Sequence, residues 1–99
     1  MYLVVFRNRK RAGIDAEAYC AAAERMEQLA SRQPGYISFK SFTAEDGEVV
    51  AISEWASEAA ARGWGRVAEH AEVQRCGRAD WYAEYLLLGG EMTRIHRFP

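Results

Sequence analysis

The sequence predicts an α+β fold, ferredoxin-like in its βαββαβ order, with an antiparallel four-stranded sheet that pairs with a second copy to form a dimeric α/β barrel. Three observations carry this reading. Four segments have strand length and strand composition, and two segments between them repeat at helical spacing. The strands also carry more apolar side chains than two helices on one sheet face would cover. A chain of 99 residues has room for one core, so residues 1–99 are read as a single domain.

Tyr2 to Phe6 is apolar at every position, as in a strand buried on both faces, and Asn8 is the first uncharged polar residue where it leaves the core. Asp15 is placed to cap a helix in which Tyr19, Ala22, Ala23, Met26, Leu29 and Ala30 form the apolar stripe, ending before Pro34-Gly35. Tyr36 to Thr43 interleaves aromatic, β-branched and polar residues as a second strand, and Asp46-Gly47 centres a hairpin turn into a third, Val49 to Trp55. Ser57 caps a second helix whose stripe is Ala60, Ala61, Trp64, Val67, Ala68 and Ala71. Gly63 and Gly65 each weaken a helix interior by about 1 kcal/mol, which predicts a kink or break around Trp64, and Cys76-Gly77 ends the element. Trp81 to Leu88 begins the last strand; Gly89-Gly90 interrupts it, and Met92 to Phe98 resumes it, long enough to reach a second subunit.

Thirteen basic and 14 acidic side chains leave a net charge of −1, so no cationic excess is available for nucleic acid. The apolar runs fall far short of the ~20 residues a membrane span needs, and the chain enters a strand without a signal-peptide core, which reads as cytoplasmic. Cys20 and Cys76 lie in no CxxC or Cys/His cluster and are read as small, buried or half-buried apolar residues; no metal-ligand spacing occurs.

Few residues suit chemistry. Trp64 fits either a packed core or the wall of a pocket for an aromatic ligand. His70, six residues on, is either a half-exposed helix residue or a base or ligand that titrates near neutrality. Asn8 reads as a turn former or as a carboxamide donor to an oxygen that gains charge. In Trp81-Tyr82-x-x-Tyr85, strand alternation puts Trp81 and Tyr85 on one face and Tyr82 on the other, and His96 reads as a surface residue. Ser-His-Asp order, carboxylate pairs and phosphate loops are absent from the sequence.

With these residues in place, the chain resembles the antibiotic biosynthesis monooxygenase superfamily of dimeric α+β barrels, which includes a heme-degrading branch. The likeness runs through Asn8, Pro34-Gly35-Tyr36, Glu54-Trp55-x-Ser57-x-x-Ala60, Trp64, Glu69-His70, Gln74, Gly77-Arg78 and Trp81-Tyr82-x-x-Tyr85. The resemblance implies a cofactor-independent monooxygenase that oxygenates a small aromatic or phenolic substrate with dioxygen, in a homodimer. It implies catalytic roles for Asn8 as oxyanion holder, Trp64 as ring wall and His70 as base, with Trp55, Tyr82, Tyr85 and Gln74 contacting substrate. Heme-degrading relatives carry a histidine ligand ten residues after the tryptophan; here that position is Gln74, a poor iron ligand beside imidazole. Two alternatives stand beside the oxygenase: a heme-binding or heme-degrading protein using His70, and a non-catalytic dimeric module that binds a small molecule.

Overall fold

A computed structural model describes residues 1–75 and 81–99, with the helical backbone alone over 70–75. The elements follow the expected order: β1 (Tyr2–Lys10), α1 (Ala16–Ser31), β2 (Tyr36–Thr43), β3 (Val49–Trp55), α2 (Glu58–Arg75) and β4 (Tyr82–Glu91). The sheet order is β2-β3-β1-β4, with every neighbouring pair antiparallel. This is the ferredoxin-like arrangement.

Local chemistry sets the boundaries. Asp15 is extended and its Oδ1 accepts from the Ala18 N–H at 3.0 Å, so α1 starts on a side-chain cap. The Ser57 Oγ accepts from the Ala60 N–H at 3.1 Å and does the same for α2. Between α1 and β2 the Tyr36 N–H donates to the Gln33 carbonyl at 3.2 Å across Pro34-Gly35, and Gly35 has φ +81°. Proline second and a positive-φ glycine third are what a type II turn requires. The β2–β3 hairpin turns at Gly47, φ +90°, with the Asp46 Oδ1 accepting from the Glu48 N–H at 3.1 Å.

Both helices cover the face of the sheet that carries Tyr2 and Val4. There Ala30, Trp55 and Ala61 are buried, with Tyr2, Val4, Tyr36, Ala60 and Trp64 packed around them. Trp55 is wholly buried; its Nε1–H donates to the Ser53 Oγ at 2.9 Å, which supplies the partner a buried indole needs. Trp64 stacks on it, ring centroids 6.1 Å apart at 20°, and Tyr36 meets it edge-on at 5.8 Å. The opposite face carries Leu3, Val5, Val50 and Ile52, and among the described residues no element covers it; Phe42, Leu86 and Leu88 on it are about half exposed.

The structure corrects four expectations. Helix α2 runs unbroken through Gly63 and Gly65. Its packed stripe, not glycine propensity, decides the conformation, because tertiary burial outweighs about 1 kcal/mol per glycine. Strand β4 passes through Gly89-Gly90 without interruption and ends at Glu91, so residues 92–99 do not resume it. Gly89 is there for space: a Cβ at that position would lie 2.6 Å from the Tyr2 hydroxyl. Cys20 is exposed, on the outward side of α1 with Ala16 and Glu24, one turn to either side. The fourth correction concerns Tyr82 and is taken up with the site below. The predicted helix end at Cys76-Gly77 and the second cysteine lie outside the described residues.

Candidate functional site

The antiparallel register divides the helix-covered face along its length. Tyr2 pairs with Trp55 at one end, and Asn8 pairs with Val49 at the other. Six residues of strand separate the two ends, on the order of 20 Å. Trp55 therefore belongs to the core end, whereas Asn8 belongs to a second cluster formed by Phe6, Asn8 and Lys10 of β1 with Tyr19 of α1 and the start of β4.

Tyr82 and Tyr85 reach that cluster together. Strand alternation would point them to opposite faces, but the β1–β4 register shifts between Arg9 and Lys10, so that Arg9 pairs with Glu84 and Lys10 with Tyr82. Ala83 is the extra residue of a bulge, and it turns Tyr82 to the face Tyr85 already occupies. The Phe6 ring then meets Tyr82 edge-on at 5.4 Å and Tyr85 at 5.5 Å, and the two tyrosine rings lie 6.0 Å apart. From α1, Tyr19 contacts Trp81 at 5.5 Å and Tyr82 at 6.1 Å, with the two hydroxyl oxygens 3.3 Å apart.

Asn8 is only 2% exposed, and its carboxamide is held from one side. The Lys10 Nζ donates to the Asn8 Oδ1 at 2.7 Å and lies 4.6 Å from the centre of the Tyr19 ring. An ammonium has donors and no acceptor, so it pairs only with the carbonyl end of the amide. That contact fixes the Asn8 rotamer and leaves its N–H₂ as the end that donates. Neither Lys10 nor Tyr19 stands out in the sequence, where the first closes a basic run and the second starts a helix stripe. The one available signal is that Asn8 and Lys10 share strand parity.

At the same end of the sheet a cleft of about 280 Å³ is lined by Arg7, Glu48, Glu84 and Leu86, on the side away from the helices, together with Asn8 and Tyr85. This is close to the small end of the range for ligand sites. Its charged wall is already paired: Arg7 makes two bonds of 3.1 Å to the carboxylate of Glu48, and Arg9 reaches Asp46 at 2.7 Å and Glu84 at 3.4 Å. The Arg9 hydrogen bond, aided by the Glu48 N–H, holds the Asp46 carboxyl below the usual carboxylate range. Among the described residues no group of three or more His, Cys, Asp or Glu side chains is placed to hold a metal ion.

The expected site residues thus fall into three sets. Asn8, Tyr82 and Tyr85 come together. Trp55 is wholly buried at the other end of the sheet; Trp64 stacks on it and keeps part of its surface. The side chains of His70 and Gln74 lie outside the described residues. Because α2 is continuous, the offset from Trp64 to position 70 keeps its helical value, about 120° away from the same face.

The fold and this strand-end cluster define an α+β protein whose aromatic side chains gather between α1 and the start of β4. The chain belongs to the antibiotic biosynthesis monooxygenase family, whose model matches residues 1–75. It is 32% identical over 97 residues to the uncharacterized protein YqjZ of Bacillus subtilis, covering 98% of this chain and 83% of that one. Among solved structures it is similar to Rv0793 of Mycobacterium tuberculosis, with TM-score 0.79 and 17% identity over 97% of this chain and 98% of that one. It also resembles SnoaB, a cofactor-independent oxygenase of Streptomyces nogalater, with TM-score 0.76, 17% identity and coverage of 95% and 94%. At such identities the structural likeness concerns the fold. Among the described residues no helix is long and apolar enough to cross a membrane.

Proposed function

We propose that this protein is a cofactor-independent monooxygenase that oxygenates a small aromatic or phenolic compound at the Asn8 end of the sheet. The observation that carries the reading is the buried Asn8 carboxamide, oriented by Lys10 and sharing its sheet face with Phe6, Tyr82 and Tyr85. Family membership and the cofactor-independent activity of SnoaB support it.

The reaction requires an electron-rich anion, which gives up electrons to dioxygen without a metal or flavin. An anthrone-type CH₂ group loses both hydrogens; one oxygen atom becomes the new carbonyl and the other leaves as water. The Asn8 amide N–H donates to the substrate oxygen as it gains charge, from a buried position where such a bond is stronger than in water. Aromatic side chains give the ring a flat surface. His70 is the proposed base, Trp64 a proposed wall of the same space and Gln74 a proposed substrate contact. A homodimer formed through the open sheet face completes the reading, since Val5, Val50, Ile52, Leu86 and Leu88 otherwise meet water.

Oxygen uptake with anthrone-like and quinol substrates tests the reading. Turnover should fall by about 10²-fold or more in Asn8→Ala, as on loss of one oxyanion donor, and measurably in Trp64→Phe. Turnover unchanged in both variants removes the site. A hemin titration with a saturable Soret shift that His70→Ala abolishes would instead favour the heme reading.

A further inference from the structure

We infer that Lys10 makes this site selective for the ionised form of its aromatic ligand, a phenolate or enolate, and sets the orientation of Asn8 that the anion meets. The inference rests on the proposed site and adds to it the charge state of the substrate.

Among the described residues Lys10 has two engagements. One N–H is directed to the Asn8 Oδ1 at 2.7 Å, and the ammonium lies over the Tyr19 ring, 4.6 Å from its centre. Both are neutral partners, an amide oxygen and a ring face, so neither cancels the positive charge. The other cations nearby are arranged differently. Arg7 and Arg9, on the opposite sheet face, are matched to Glu48, Asp46 and Glu84. Lys10 is part-buried, and a charge there is less screened than at the surface. Such a group favours an anion over its neutral conjugate acid. The Tyr19 and Tyr82 hydroxyl oxygens lie 3.3 Å apart in the same cluster.

Lys10 and Asn8 then act on one oxygen in complementary ways. The lysine supplies charge, and by occupying the amide carbonyl it leaves Asn8 only its N–H groups to present. Without the ammonium, Asn8 is able to turn its Oδ1 toward the ligand, which repels an anion.

The test uses 4-nitrophenol, whose phenolate is coloured and which ionises near neutrality, with 4-nitroanisole as the neutral partner of similar shape. Each is titrated into the full-length protein and into Lys10→Met, Lys10→Arg and Asn8→Ala. Wild type should bind the phenolate more tightly than the anisole and draw bound 4-nitrophenol toward its coloured form. Lys10→Met should weaken phenolate binding about tenfold or more while leaving the anisole within about twofold. Lys10→Arg should restore most of the preference for the anion, which a purely packing role would not require. Equal losses for both probes in Lys10→Met, an unchanged phenolate preference there, or no preference in wild type each overturns the inference. A wild type that selects phenolate but consumes no oxygen with any quinol or anthrone refutes the oxygenase and leaves the Lys10 inference standing.

Discussion

Gly35 is where the α1–β2 turn touches α2, and Gly35→Ala separates two costs there. The residue has φ +81°, and a Cβ built on it would lie 2.6 Å from the Ala60 Cβ, a distance carbon atoms do not tolerate. Placing a side chain at positive φ costs about 1–2 kcal/mol. The overlap forces the α2 start away from the turn, an overpacking cost of about 1–3 kcal/mol. A central figure of about 3 kcal/mol converts to a fall in Tm of about 12–24 °C for a domain of this size. Thermal melts at one fixed protein concentration measure it, since any dimer makes Tm concentration-dependent. Ala60→Gly by itself should lose about 1 kcal/mol from helix propensity. In the double variant the overlap disappears and only the backbone cost remains. Its loss should therefore be smaller than the sum of the single losses by about 1 kcal/mol or more. Additive losses, or a Gly35→Ala protein as stable as wild type, would refute the close approach.

Further outcomes follow from other sites. Gly65→Ala should stabilise by about 0.4–1 kcal/mol in the same melts, because a Cβ there meets nothing within 4 Å and the helix is unbroken; destabilisation would imply a local kink. Trp64→Ala removes the ring stacked on Trp55 and should cost about 3–5 kcal/mol, read by urea unfolding, whereas a loss below 1 kcal/mol would show that the stack is peripheral. Asp46 has a lowered pKa, so its contribution is present above the ordinary carboxylate value and disappears as pH falls through the lowered folded value. Asp46→Asn should accordingly flatten the acid limb of stability against pH, by an amount that shrinks in salt; an unaltered limb would count against the Arg9 contact.

Much of the fold was legible because burial writes itself into spacing. The apolar run of β1, the stripe containing Tyr19 and Ala30, the Asp46-Gly47 turn and the caps at Asp15 and Ser57 each answer to one local rule, and the structure follows those rules. Misreadings arose where a non-local term outweighed a local one. Glycine at 63 and 65 argued for a break, but burial of the α2 stripe is shared over the whole helix and holds it straight. Gly89-Gly90 argued for a bend, yet Gly89 is explained by a ring arriving from β1 that alternation cannot reveal. At the site, Asn8 stood out because a polar residue follows an apolar run. Tyr82 was given the wrong face because one extra residue in a bulge leaves no compositional trace. Lys10 was hidden among Arg7, Arg9 and Arg11, and only the folded sheet separates the two that form ion pairs on one face from the one that turns to Asn8 on the other.

The antiparallel register has a consequence for how this protein can change. Tyr2 opposite Trp55 and Asn8 opposite Val49 put the buried Trp55 and the candidate Asn8 at opposite ends of the same strands. Their separation, on the order of 20 Å, exceeds the distance within which substitutions couple, so effects at the two ends should simply add. Residues around Asn8 are therefore free to be exchanged for a different ligand while the Trp55 end keeps the chain folded. The same architecture can hold its shape as its chemistry diverges.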